Sequence, residues 1–225
     1  DLIADEYGLT REDLDAFGAL SQQRAAQATA EGRFEREIIP VPYQLDGVTE
    51  MLTKDEGIRE GTTSETLAAL KPAFKPDGKI TAGNSSQISD GASAVLIMSA
   101  TKAAELGLTP RARFPSFAVA GTDPVTMLKG PIPATRKILA KSGLTMADID
   151  LVEINEAFAS QSIYCMKELG LDPLKTNVNG GAIALGHALG STGARLTATL
   201  LHELEKRKGR YGIVTMCIGG GMGAA

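Results

Sequence analysis

Apolar and polar positions change rhythm along the chain. From Thr10 to Gly32 the segment TREDLDAFGALSQQRAAQATAEG carries Leu14, Phe17, Leu20 and Ala25 at helical spacing. Thr10 and Asp13 make a capping-box pattern at its start, and Gly32 supplies a stop. One long helix with that stripe turned inward is expected. REIIPVPY reads as a short edge strand, because its prolines remove ladder donors. Between Leu45 and Ser89 the pattern breaks into short pieces rich in Gly, Thr, Pro and charge. Irregular ground of that kind wraps a ligand or partner more often than it builds a core.

From Gly91 onward the alternation is regular. ASAVLIMS reads as a buried strand and ATKAAELG as a helix ending at Gly107. RARFPSFAVAG reads as a strand, and PATRKILAKSG as a helix with proline at its start and glycine at its end. DIDLVEI is a strand running into the helix EAFASQSIYCMKELG. TNVNGG leads to a glycine-rich stretch, STGARLTATLLHELEKRKG is a long helix, and YGIVTMCI is an apolar strand. Strands alternating with helices predict an α/β fold with a largely buried sheet.

Composition narrows the function classes. A chain of 225 residues suits one large domain or two smaller ones. A net charge of −4 and a pI near 5.3 argue against general nucleic-acid affinity. The basic run EKRKGR reads as a solvated helix end, where positive charge is favoured. No apolar run approaches the roughly 20 residues that span a bilayer, and the start carries no secretory signal. With Cys165 and Cys217 as its two cysteines, the chain has no disulfide framework, and a reducing, cytoplasmic setting is expected. It starts at Asp1 inside an apparent helix and stops at GGGMGAA, so a segment of a longer polypeptide is expected.

Three stretches carry candidate chemistry. His187 lies in NGGAIALGHALGSTGAR, just before a helix start that Ser191 or Thr192 is placed to cap. The partial positive charge there disfavours imidazolium, and a neutral ring can take a proton or donate to an oxyanion. Cys217 in TMCIGGGMG follows an apolar strand; the glycines after it free backbone N–H groups, and the Gly219 amide is a candidate oxyanion donor. Cys217 could act as an acid or base once a neighbouring histidine or dipole lowers its pKa. Asn155 in EINEAFASQ ends a strand, with Glu156 read as the start of a helix. Each stretch alone also admits a structural role as turn, packing residue or cap. Their convergence favours an active site.

NEAFA, NGGAIALGHALGSTGAR and CIGGGMG, in this order, resemble the C-terminal half of a thiolase, an acetyl-CoA acyltransferase. AGNSSQISDGASAVL and GPIPATRK are similar to two further thiolase stretches. The resemblance implies a layered α/β/α/β/α fold made of two related halves. Residues 1–88 would be the remainder of a loop domain, 89–107 the last strand and helix of the N-terminal half, and 108–225 the C-terminal half. It also implies thiolysis of 3-ketoacyl-CoA and the reverse Claisen condensation. In that scheme Cys217 is the acid/base, and His187 activates a nucleophilic cysteine and binds a thioester oxygen. Asn155 holds a water in the same oxyanion hole, and Gly219 is the donor of a second hole.

The resemblance further implies that Ser86, Arg59, Ala82, Met127 and Phe158 line a coenzyme A site. CoA and acetyl-CoA enter as substrates, with no tightly bound cofactor, no metal, no nucleic acid and no membrane, in a homo-oligomer that is a dimer or tetramer. Ala188 stands where the family commonly has proline. The acyl-carrying cysteine belongs to a stretch not in this sequence, and Cys165, mid-helix with Phe158 and Leu169, reads as core. The alternative is therefore a thiolase-like CoA-binding subunit that needs a partner chain. A dinucleotide loop at IGGGMG lacks the helix and acid that should follow. A zinc site of His187, His202, Cys165 and Cys217 lacks the usual pair spacing, and His202 is expected to be solvated. The glycines around His187 are expected to let a thioester approach its ring.

Overall fold

The computed structural model describes residues 1–225. In chain order its elements are α1 (Leu2–Glu6), α2 (Arg11–Ala30), β1 (Val41–Leu45), β2 (Val48–Leu52), α3 (Ser64–Ala68) and α4 (Ala100–Glu105). There follow β3 (Val119–Gly121), α5 (Pro131–Ser142), β4 (Leu151–Ile154), α6 (Ala159–Leu169), α7 (Ala182–Leu185), α8 (Thr192–Arg207), β5 (Gly212–Ile218) and β6 (Met222–Ala224). No helix is long and apolar enough to cross a membrane.

The α2 helix starts as its sequence predicts. The Asp13 amide donates to Thr10 Oγ1 at 3.1 Å, and the Thr10 amide donates to the Asp13 carboxylate at 2.9 Å. Gly32 stops it at a φ of +67°. Leu14 and Ala25 are buried and Phe17 packs beside Leu9, Ile80 and Ile183, but Leu20 is exposed. Small and polar residues take the inner face instead, because the chain comes close there. A side chain at Gly18 would strike the Gly83 carbonyl, and Gln22 donates to the Ile183 carbonyl at 3.2 Å.

The main sheet has the order β3-β6-β5-β4. β4 and β5 are parallel, while β6 is antiparallel to both of its neighbours. Alternation along the strands separates two faces. Val152 and Ile213 meet Ile138 and Leu139 of α5 and Met166 and Leu169 of α6. Ile154 joins Ile132 and the fully buried Cys165 on that side. Leu200 of α8 lies over Gly212, on the opposite face from Ile213. The sheet is thus covered on both faces, as an α/β fold requires.

Four expectations need correction. ASAVLIMS, at 92–99, forms no strand, and Leu96 and Ile97 are 81% and 62% exposed. Its apolar run reports strand propensity, but no other strand of the chain lies beside it to complete a ladder. In RARFPSFAVAG the ladder is confined to Val119–Gly121, preceded by a reciprocal pair of 2.9 Å bonds between Ala118 and Ala225. Pro115 interrupts the rest, leaving Phe114 and Phe117 exposed against each other. REIIPVPY enters a hairpin only at Val41, and its second arm β2 falls in ground read as irregular. Asp46 and Gly47, at φ of +49° and +82°, form the tight turn. Finally, α6 begins at Ala159, not at Glu156.

Candidate active site

The C-terminal ends of the parallel pair β4 and β5 carry the site, the usual location in open α/β sheets. Ile154 pairs with Thr215, and the Asn155 amide extends the ladder by donating to the Thr215 carbonyl at 3.0 Å. Cys217 lies two residues beyond Thr215, paired with Gly223 of β6. Asn155 is fully buried, with Nδ2 3.3 Å from His187 Nε2. Its Oδ1 has no hydrogen-bond partner in the chain and so keeps an acceptor for an incoming group.

His187 sits in the loop between α7 and α8. Its backbone amide donates to the Gln87 carbonyl at 3.0 Å. The Gln87 side-chain amide faces the carbonyls of Gly57, Ile183 and Ala184 at 2.8, 2.9 and 3.1 Å. Residues from the AGNSSQISDGASAVL motif therefore hold the histidine loop in place. Gly186, at a φ of +86°, has no room for a Cβ against Ser89. A Cβ at Gly181 would strike the Glu156 carboxylate, and one at Gly180 would lie 2.6 Å from the Ser21 carbonyl. These glycines make room for neighbouring protein groups; Gly190 is the one that faces open space before α8.

Thr192, read as a cap, has another task. Its Oγ1 lies 2.9 Å from the Ala188 carbonyl and 2.7 Å from His187 Nδ1, and neither it nor Ser191 caps α8. Glu156 also departs from its expected place. Its buried carboxylate accepts from Ser21 Oγ at 2.6 Å, Asn177 Nδ2 at 2.8 Å and the Ile183 amide at 3.3 Å. It ties α2, the segment after α6, and α7 together one residue from Asn155. Only the position of Glu156 in NEAFA could have marked it, since a carboxylate with three donors is invisible to periodicity.

Electrostatics set the resting protonation. Burial, then the positive charge of Arg195, holds the His187 pKa below its ordinary value, so the ring is neutral at pH 7. Burial pushes the Cys217 thiol up to about 11. The expected lowering of this thiol is absent, and Cys217 rests as the protonated acid. Arg195 Nη1 and Nη2 are buried without hydrogen bonds, as are one oxygen of Glu153 and one of Glu37. Burial pushes Glu153 up to about 8 and Glu37 to about 7, in both cases with Arg195 pulling the other way.

The remaining candidates spread around this centre. Ser85 and Phe158 form a bridge, and the Ser86 amide donates to the Ala157 carbonyl at 3.0 Å. Phe158 meets the exposed Phe74 edge-on, with centroids 6.2 Å apart. Ala82 opens a short 3₁₀ turn, Ala82–Asn84, that packs on α2. Met127 begins another, Met127–Lys129, that packs on α6, β5 and β6. Arg59 is exposed, with its backbone amide donating to Gln22 Oε1 at 2.8 Å. Gly219 lies in the exposed turn between β5 and β6, and its amide makes no backbone hydrogen bond. Cys165 is core, its thiol pushed up to about 12 by burial. His202 is not solvated: it lies half-buried, 3.9 Å from Glu37 and 2.9 Å from the Ala198 carbonyl.

Residues 108–225 match the family described as thiolase, C-terminal domain, and residues 1–101 match thiolase, N-terminal domain. The chain belongs to the thiolase family. It is 52% identical over 232 residues to the 3-ketoacyl-CoA thiolase of Bacillus subtilis, an alignment covering 99% of this chain and 59% of that protein. It is 53% identical over 224 residues to the acetyl-CoA acetyltransferase of Pseudomonas aeruginosa, covering 99% of this chain and 57% of that one. Human mitochondrial 3-ketoacyl-CoA thiolase superposes with a TM-score of 0.96 at 45% identity, over 99% of this chain and 56% of its own. The same protein solved in complex with CoA superposes at 0.94 with 45% identity, over 99% and 55%. The fold is therefore the thiolase fold, and the chain spans under three-fifths of the length of these relatives.

Proposed function

We propose that this chain is the acid/base part of a thiolase that cleaves 3-ketoacyl-CoA with CoA and, in reverse, condenses acetyl-CoA. The observation that carries the reading is the meeting of Asn155 and His187 at the end of β4, with Cys217 on the adjacent strand.

Thiolysis needs a group to protonate a carbanion. His187 Nε2 takes the proton of an acyl-carrying cysteine as its sulfur attacks the C3 carbonyl, the C2–C3 bond breaks, and its electron pair remains on C2 of the departing acetyl-CoA. Cys217, at rest a thiol, gives its proton to C2 and becomes a thiolate. Before CoA enters, His187 passes its proton to the Cys217 thiolate. CoA thiol then attacks the acyl thioester, its proton passes through His187 Nε2 to the departing carrier sulfur, and the acyl group leaves on CoA. In condensation Cys217 returns as thiolate and removes the C2 proton, and the Gly219 amide is assigned as the donor to the enolate oxygen. Asn155 is assigned the water of the oxyanion hole it shares with His187.

Neither Cys165 nor Cys217 is the acyl carrier in this reading: the first is sealed in the core and the second has the acid/base task. The carrier is assigned to polypeptide beyond these residues. Ser86, Ala82, Met127, Phe158 and Arg59 are assigned to the CoA site. The pairing of exposed Phe74 with Phe158, beside Ser86, supports an apolar surface for the pantetheine arm. Residues 1–88, 89–107 and 108–225 are assigned in this reading to the loop domain, the end of the first half and the second half. Two unpaired cysteines fit a reducing cytoplasm. Assembly as a dimer or tetramer is part of the same reading. Acetoacetyl-CoA and CoA offered to the polypeptide that carries this chain should give acetyl-CoA. Binding of CoA without turnover would instead establish a binding subunit.

A further inference from the structure

A histidine that takes a proton at Nε2 must keep its own proton on Nδ1, and the neighbours of Nδ1 decide whether it does. The Nδ1 neighbour here is Thr192 Oγ1, at 2.7 Å. A threonine hydroxyl has one hydrogen to give and can accept others. Two partners compete for that hydrogen: His187 Nδ1 and the Ala188 carbonyl, 2.9 Å away. If the hydroxyl donates to Ala188, it must accept from an Nδ1–H, and all three groups are paired. If it donates to Nδ1, Nε2 carries the ring proton and faces the Asn155 amide nitrogen, itself a donor, at 3.3 Å. With the Asn155 amide nitrogen turned to the ring, as it is here, that second arrangement sets N–H against N–H inside a half-buried site.

We infer that Thr192 is a positioning residue for catalysis: its hydroxyl, donating to the Ala188 carbonyl, fixes His187 as the Nδ1–H tautomer with a bare, proton-accepting Nε2. The inference rests on the proposed role of His187 as base. It adds a residue that never touches the substrate and sets which nitrogen does the work. The chain geometry supports it from both sides of the ring. The Ala188 carbonyl also accepts the Ser191 and Thr192 amides, at 2.9 and 3.0 Å, so the first turn of α8 holds the carbonyl still. Thr192 is 2% exposed, so water does not compete for its oxygen. Asn155 Nδ2 then donates to Nε2, which leaves its Oδ1 turned away as the buried acceptor without a partner. One hydroxyl hydrogen thereby orders the donors and acceptors of Thr192, His187 and Asn155 in sequence.

The test is ¹⁵N NMR of the histidine rings in the polypeptide that carries this chain, with His202→Gln used to assign His187. The ring nitrogens report the tautomer directly and need no turnover, so this readout stands even if the polypeptide proves to be a CoA-binding subunit without activity. The wild type should show a protonated Nδ1 and a bare Nε2. Thr192→Val, which keeps shape and removes the hydroxyl, should move the proton to Nε2 and lower kcat/KM for thiolysis about 100-fold. Thr192→Ser, which keeps the hydroxyl, should hold the Nδ1–H tautomer and recover activity to within about 10-fold of wild type. A wild-type ring protonated on Nε2, or a Thr192→Val variant that keeps the Nδ1–H tautomer, would overturn the inference.

Discussion

The side-chain amide of Asn155 lies 3.3 Å from Nε2 of His187, joining the end of β4 to the loop before α8. The contact brings together residues that stand 32 positions apart. A neutral amide there leaves the ring uncharged, whereas a carboxylate would favour imidazolium. Asn155→Asp should therefore move the acid limb of the pH–rate profile upward by about 1 to 3 units. A profile coincident with wild type would remove Asn155 from the neighbourhood of the working ring.

Arg195 acts on the same ring through its charge. Burial first, and this cation second, hold His187 below its ordinary 6.5, so the acid limb should lie below that value. Arg195→Met removes the second cause and should shift the limb toward 6.5, measured as kcat/KM between pH 5 and 8. The stability sign follows separately. Between the lowered folded pKa and 6.5 the unfolded chain binds more protons at His187. That contribution is therefore present above pH 6.5 and is lost as pH falls through the folded value.

Glu153 has the opposite sign. Its folded pKa is raised from 4.5 to about 8 by burial. The folded chain binds the extra proton between those values, so this contribution is full below pH 4.5 and is lost as pH rises through 8. Urea midpoints should fall across that window, and Glu153→Gln should flatten the slope. A slope unchanged by the substitution would mean that Glu153 is ionised in the folded state.

The two thiols should differ in access more than in acidity. Burial raises both, to about 11 for the half-buried Cys217 and about 12 for the fully buried Cys165. Iodoacetamide at pH 8 should label Cys217 slowly and Cys165 only after denaturation, with peptide mass spectrometry as the readout. Rapid labelling of Cys217 at neutral pH would show that a partner in the native assembly lowers its pKa.

Sequence patterning found what is local. The Thr10–Asp13 cap, the glycine stops and the strand–helix alternation after Val119 all depend on residues within a few positions of each other. Asn155, His187 and Cys217 were legible because their motifs place each at a strand end or loop of the second half. What escaped depends on distant neighbours. ASAVLIMS has strand propensity without a strand beside it. Ser21 and Gln22 lie on the inner face of α2 because Glu156 and Ile183 supply their partners more than 130 positions away. Gly180, Gly181 and Gly186 were read as room for a ligand, yet α2, Glu156 and Ser89 fill that room.

The measurement that bears most directly on the account separates two reactions of Cys217→Ala in the polypeptide that carries this chain. Thiolysis of acetoacetyl-CoA requires proton transfer to carbon, the step given to Cys217, and should fall by about 1,000-fold or more. Exchange of labelled CoA into acetyl-CoA only makes and breaks C–S bonds, so it should persist near the wild-type rate. Thiolysis retained at the wild-type rate, or exchange lost together with it, would contradict Cys217 as the acid/base of this site.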